Sequence, residues 1–173
     1  MANLVKVKHR DLYSQIDPRN PLNNQAGRTI LITGGGSGIG LAIAKAFVTA
    51  SAARVIIIGR RSNVLGSASE ELNALGCTTE ILSRTCDITN AESLIDMWDW
   101  IRDEGVSIDT LILNAMLSSP WTSISDGVEK VWKFFEANVL ANMRLTEAFL
   151  SQGAKTGKVF LSFPLYAVII VRP

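Results

Sequence analysis

The sequence lacks most of the features that assign a chain to a class at sight. It has only two cysteines, Cys77 and Cys86, and neither has metal-ligand neighbours. That excludes a disulfide framework and predicts two reduced, buried thiols in an intracellular protein. No apolar run reaches the ~18 residues of a membrane span. Residues 1–25 hold no apolar signal core and no cleavage-like site, so no secretory leader is predicted. Lys6, Lys8, His9 and Arg10 precede Asp11 and Asp17, whose charges argue against a mitochondrial address. The expected location is cytoplasmic. Neither sign of charge dominates: the net charge is +1 and charged residues make up 19%. With no basic stripe and no aromatic platform, nucleic acid is not an expected partner.

What is present suits one well-buried domain: 173 residues, 47% of them hydrophobic. Residues 1–27 read as an N-terminal arm. Asp17-Pro18-Arg19-Asn20-Pro21 and Asn23-Asn24 are turn formers without sustained periodicity. From Arg28 onward the pattern alternates. Strand-like runs occupy 29–33, 54–59, 79–84, 110–113 and 158–163, and helix-like runs occupy 39–50, 63–75, 90–104 and 127–151. Such alternation predicts βαβ units and a parallel sheet. In the first helix Ile39, Ala42, Ile43, Ala46, Phe47 and Ala50 share an apolar face. Thr89 and Glu92 have capping-box spacing for the third helix, and Asp126 and Glu129 do so more weakly for the fourth. Val131, Asn138 and Leu145 fall seven apart in that fourth helix. Phe134, Phe135 and Ala148 extend the same side, so an amide sits on an apolar stripe. There is no internal repeat.

Between the first strand and first helix lies Thr33-Gly34-Gly35-Gly36-Ser37-Gly38-Ile39-Gly40. A strand, a glycine turn and a helix in that order form a phosphate cradle, because backbone N–H groups and the helix dipole meet the anion there. The turn needs positive φ and close backbone approach, which require glycine. The spacing, with Thr33 in front and Ile39 inside, resembles the T-G-x-x-x-G-[IL]-G pattern of the short-chain dehydrogenase/reductase family. The resemblance runs through residues 28–173. It implies an α/β fold, a Rossmann-type doubly wound parallel sheet of order 3-2-1-4-5, truncated after about five strands in a domain incomplete at its C-terminus. It also implies a dinucleotide whose phosphates lie against Gly34, Ser37, Gly38, Ile39 and Gly40.

Further motifs extend the likeness. Gly59 ends the second strand where NAD-specific sites place an acid, and Arg60 and Arg61 follow. A guanidinium fork there suits a 2′-phosphate, so NADP is expected over NAD; the alternative is two solvated surface arginines. Asp87-Ile88 resembles the family's Asp-aliphatic pair along the adenine ring, although Asp87 also reads as a turn residue before Thr89. Asn114-Ala115-Met116 matches the family's N-A-G in its first two positions, and Met116 replaces a glycine beside the cofactor's ribose. Asn138 falls 24 residues beyond Asn114, as does the asparagine of the family's central helix, which helps hold a water in the proton relay. A buried amide satisfied locally is an equal reading.

The last absence bears on chemistry. Relatives carry a serine after the fifth strand and then Y-x-x-x-K, whose lysine lowers the pKa of the tyrosine general acid/base. Here Tyr13 is followed at the fourth position by Asp17, and Tyr166 by Ile170. The usual serine falls on Leu165 or, shifted, on Phe163. Asn138 is the one surviving catalytic position. The expectation is therefore an NADP-dependent oxidoreductase acting in full-length form on a small carbonyl or alcohol, this chain being an inactive N-terminal portion. The alternative is a non-catalytic dinucleotide-binding module. No metal site is expected, and the family resemblance makes a homo-oligomer possible. The apolar tail 165–171 is expected at an open sheet edge, where it favours self-association.

Overall fold

A computed structural model of the chain describes residues 12–117, 123–152, 158–162 and 167–171. Six strands form one sheet: β1 Thr29–Thr33, β2 Arg54–Gly59, β3 Glu80–Thr85, β4 Thr110–Leu113, β5 Lys158–Ser162 and β6 Ala167–Val171, in the order β3-β2-β1-β4-β5-β6. The first five are parallel, as the alternating pattern predicts, and β6 runs antiparallel to β5. β1 and β4 are buried at every position. Their apolar runs lack a polar face because both sides of the sheet are covered.

The period-2 alternation of the strands divides the core in two. Ile30 and Ile32 of β1, with Val55 and Ile57 of β2, face α1 (Gly38–Thr49) and α2 (Ser62–Asn73). Leu31, Ile56 and Ile58 face the opposite layer, made by α3 (Ala91–Asp103) and α5 (Ala141–Leu150). The parallel register sets Ile30 beside Val55, Leu31 beside Ile56 and Ile32 beside Ile57, so each layer meets a continuous aliphatic surface. Each such side chain contributes about 1.5–3 kcal/mol relative to exposure.

The expected order 3-2-1-4-5 is present, and residues 167–171 extend it with a sixth strand, antiparallel to β5, which pairs backbone groups that would otherwise lie open. Several expectations are corrected. The fully buried line of α1 is Gly40, Ala44 and Val48; of the predicted face Ile43 and Phe47 pack against the core and Ala50 is buried, while Ala42 is exposed and Ile39 is 65% exposed. Gly40 must lie against the turn before it, which rotates Ile39 outward. The third helix is capped by Asn90, whose side chain accepts from the Ser93 N–H at 3.0 Å, rather than by Thr89.

The single long helix predicted over 127–151 is three pieces: α4 (Val128–Phe135), a π-turn over Glu136–Leu140, and α5. Its start is prepared upstream, where Ser123 and Asp126 make a capping box around a 3-10 turn, Ile124–Asp126. Phe135 does not join the buried side; it is 52% exposed and stacks on Trp132 at 5.8 Å between ring centroids. Cys86 is buried as expected, but Cys77 is exposed. No helix among the described residues is long and apolar enough to cross a membrane. Phe163, Pro164, Leu165 and Tyr166, on which the question of the serine and tyrosine turns, lie outside the described residues, as do residues 1–11.

Candidate functional site

The C-terminal ends of β1, β2, β3 and β4 open into one cavity of about 580 Å³. This is where open parallel sheets bind ligands, at the point where chain order reverses between β1 and β4. Thr33, the last residue of β1, ties the two halves together. Its hydroxyl accepts from the backbone N–H groups of Asn114 and Ala115, both at 2.9 Å, and donates to the Ile112 carbonyl at 3.3 Å. Asn114 returns the bond, its Nδ2 donating to the Thr33 carbonyl at 3.0 Å. Thr33 is fully buried, so removing its hydroxyl would strand two donors.

The glycine turn is built on this junction. Gly34 has φ +67° and Gly38 φ +55°, a region costly for any residue with a Cβ. Gly40 is needed for space: a Cβ there would lie 2.2 Å from the Gly34 carbonyl oxygen and 2.6 Å from Asn114 Nδ2. The helix therefore starts in direct contact with the ends of β1 and β4. Ser37, the N-cap, is extended and makes no side-chain capping bond. The first-turn N–H groups of α1 remain without a side-chain partner, and with the dipole they suit an anion.

The second wall comes from the ends of β2 and β3. Arg60 and Arg61 line the cavity, and neither is in an ion pair among the described residues. Asp87 lies on the same wall. Burial pushes its carboxyl up, but bonds from the Thr89 N–H (3.0 Å) and hydroxyl (2.8 Å), with the charge of Arg60, outweigh burial and leave it below the ordinary carboxylate value. Asp87 is thus both a turn residue and a cavity wall. Cys86 beside it is a buried thiol pushed up mainly by desolvation, which leaves it protonated and unreactive at neutral pH.

Of the predicted site residues, the cavity gathers Gly34, Ser37, Arg60, Arg61, Asp87, Ile88 and Asn114. Gly38, Ile39 and Gly40 are not among its lining: Gly40 supports the wall from behind and Ile39 faces solvent. Asn138 is not among the lining either. Its Oδ1 accepts from the Leu117 N–H and its Nδ2 donates to the Leu117 carbonyl, both at 2.9 Å. This amide therefore has its hydrogen bonds met locally, clamping the loop after β4 to the π-turn. That loop presents Met116 and Leu117 to the cavity. Sequence reasoning missed Thr33 as a hub, and it missed Lys133, Glu136 and Ala137, which line the cavity from the start of the long helix. Their i, i+3, i+4 spacing just before Asn138 was the available signal.

The cavity can hold a nucleotide with phosphate at the helix terminus and a further anionic group at the arginines. An open parallel sheet with such a turn defines the class: a dinucleotide-binding α/β domain. The sequence pattern of the short chain dehydrogenase family matches residues 28–160, and the chain belongs to that family of oxidoreductases. It is 31% identical over 158 residues to a short chain dehydrogenase/reductase of Aspergillus aculeatus, an alignment covering 88% of this chain and 53% of that protein. It is 36% identical over 107 residues to a sorbose reductase of Schizosaccharomyces pombe, covering 61% and 41%. Among solved structures it resembles L-sorbose reductase from Gluconobacter frateurii complexed with NADPH and L-sorbose. The identity is 28% and the TM-score 0.67, over 73% of this chain and 48% of that one. It also resembles a 3-oxoacyl-[acyl-carrier protein] reductase from Brucella melitensis with bound NAD, at 27% identity and TM-score 0.68, over 83% and 54%. The chain spans about half the length of the relatives it matches. Those two solved structures carry different dinucleotides, so family membership leaves the choice between NAD and NADP to this chain's own residues.

Proposed function

We propose that residues 28–173 are the NADP(H)-binding portion of a short-chain dehydrogenase/reductase, and that the 173 residues alone bind the cofactor without turning it over. In full-length form the reaction would be hydride transfer between NADP(H) and a small carbonyl or secondary alcohol. The bound cofactor supplies the hydride chemistry; the chain's own residues bind and orient it. The α1 terminus with Gly34 and Ser37 would take the pyrophosphate, Ile88 and Asp87 would flank the adenine, and Asn114 would lie on the nicotinamide side. The observation that carries the cofactor choice is the pair Arg60 and Arg61, on the cavity wall and unpaired among the described residues. A guanidinium there attracts a 2′-phosphate, and Gly59 supplies no carboxylate to repel it.

Thermal-shift titration tests this, since a ligand that binds only the folded state raises its stability. NADPH is expected to raise the melting temperature more than NADH, and Arg60→Asp is expected to reverse that order. An unchanged order in the variant would count against Arg60 as the determinant. A carbonyl-reductase assay on the 173 residues is expected to read zero, because they encode no Tyr-x-x-x-Lys.

The long helix also bears on assembly. Val128, Trp132, Phe135, Val139 and Met143 are exposed along one side of it. Exposed apolar side chains in a continuous line mark an association surface, and we assign to it the contact between copies in a homo-oligomer.

A further inference from the structure

The glycine turn at the end of β1 divides the cavity. In the sheet order, β2 and β4 lie on opposite sides of β1. Arg60 and Arg61 follow β2 and line that side. A dinucleotide whose phosphates rest on the turn and whose 2′-phosphate meets those arginines has one direction left for its second arm, across the end of β4. There Ala115 closes on the turn: a Cβ added at Gly34 would lie 3.2 Å from the Ala115 Cα. Met116 and Leu117 follow, line the cavity, and are 41% and 38% exposed. Apolar side chains left open on a cavity wall suit the flat face of a ring.

Two asparagines fix that wall. Thr33 holds the Ala115 N–H from one side. From the other, Asn138 takes both backbone groups of Leu117 at 2.9 Å each, so Met116 is the single residue between two anchors. Asn138 is itself held. It lies in the π-turn, where the Ala141 N–H reaches back to the Glu136 carbonyl, and its own carbonyl accepts from Asn142 Nδ2 at 2.8 Å. Asn142 is 6% exposed, and its Oδ1 has no hydrogen-bond partner among the described residues. A buried, unpaired amide oxygen costs stability, and a leucine of the same shape would avoid that cost. What the amide supplies in return is its bond to Asn138.

We propose that Asn142 is a positioning residue for the cofactor's nicotinamide arm. Asn142 holds Asn138, Asn138 holds Leu117, and the Met116–Leu117 wall is thereby kept at the end of β4 to receive the arm. Neither asparagine lines the cavity, so each acts through that wall. This inference rests on the dinucleotide reading above.

The test is calorimetric titration of the 173 residues with NADPH and with adenosine 2′,5′-bisphosphate, which lacks the nicotinamide arm. Asn142→Leu is expected to bind NADPH about tenfold more weakly, the equivalent of losing roughly 50 Å² of apolar contact, and to bind the bisphosphate within about twofold of the wild type. It is expected to melt no lower than the wild type, because the unpaired oxygen is gone. Asn138→Ala is expected to give the same split between the ligands, and decides alone should Asn142→Leu fail to fold. The double variant is expected to lose no more NADPH affinity than either single one, because the two residues act in series. Unchanged NADPH affinity in the variants overturns the proposal. Equal weakening of both ligands also overturns it, since a general disturbance of the fold would do that. A wild type that binds the bisphosphate as tightly as NADPH overturns it while leaving the turn and arginine assignments standing. A wild type that binds neither ligand removes the cofactor assignment and this proposal together.

Discussion

The two sides of this molecule are built to different degrees of closure. On one side, β1 and β2 pack under α1 and α2, the core residues are buried, and the phosphate turn is locked to Ile112, Asn114 and Ala115 by four hydrogen bonds around Thr33. On the other, the helix from Val128 to Leu150 covers the sheet with one line of residues and shows solvent another, in which Val128, Trp132 and Met143 are each more than half exposed. The first side is self-sufficient because its contacts come from residues close in the fold and all present. The second carries apolar surface that has no partner among the described residues. Under the proposed function, binding and acid/base groups separate: the glycine turn and the two arginines are in place among the described residues, and the sequence holds no Tyr-x-x-x-Lys.

The sharpest way to break the comparison is to open the closed side. Gly40→Ala would press a methyl group into the Gly34 carbonyl and Asn114, and is expected to cost about 3 kcal/mol and to abolish NADPH binding. Gly38→Ala has open space around the added methyl, so only its positive φ is penalised, at about 1–2 kcal/mol. Chemical denaturation of the two variants should rank them in that order; equal losses would mean that the close approach at Gly40 is not what holds the turn. Thr33→Val follows, stranding the Asn114 and Ala115 donors at about 2 kcal/mol. On the open side, Val139→Glu should leave denaturation and NADPH binding nearly unchanged while lowering the assembly state seen by light scattering. An assembly state unmoved by that change would argue that copies meet elsewhere.

The smallest expected effect concerns pH. Asp87 is held below its ordinary value of 3.8, so its contribution to stability is present above that value and fades as pH falls through the lower folded one. The melting-temperature difference between the wild type and Asp87→Asn should therefore shrink below about pH 4. A difference that stays constant from neutral to acid pH would mean that the Thr89 bonds and the Arg60 charge do not favour the carboxylate.

Much of the closed side was legible in the sequence, for a physical reason. Buried parallel strands such as Thr29–Thr33 are apolar without alternation, and a turn demanding positive φ leaves no choice but glycine, so each is written locally. The five-strand parallel order followed from the alternation and the family pattern. What was not legible depends on contacts between distant residues. The face of α1 was displaced by one residue because Gly40 answers to Asn114, 74 positions away in the chain. The cavity role of Lys133 and Glu136 depends on where the helix after β4 meets the cavity at the strand ends. The π-turn at Glu136–Leu140 has no composition that announces it. Asn138 was placed on the right helix, but its partner, the Leu117 backbone, could be named only with the loop in place. The pairing of β6 with β5 depends on register, which the apolar composition of residues 167–171 does not carry.

The measurement that bears most directly on the account is an equilibrium titration of the 173 residues with NADPH, followed by addition of a reducible carbonyl. Saturable binding at one site per chain, with no loss of NADPH absorbance after the carbonyl is added, is the predicted result. Absence of binding at millimolar NADPH, or steady consumption of NADPH, would contradict it: the first by showing that the cradle does not hold the cofactor, the second by showing that the chain supplies a proton donor of its own.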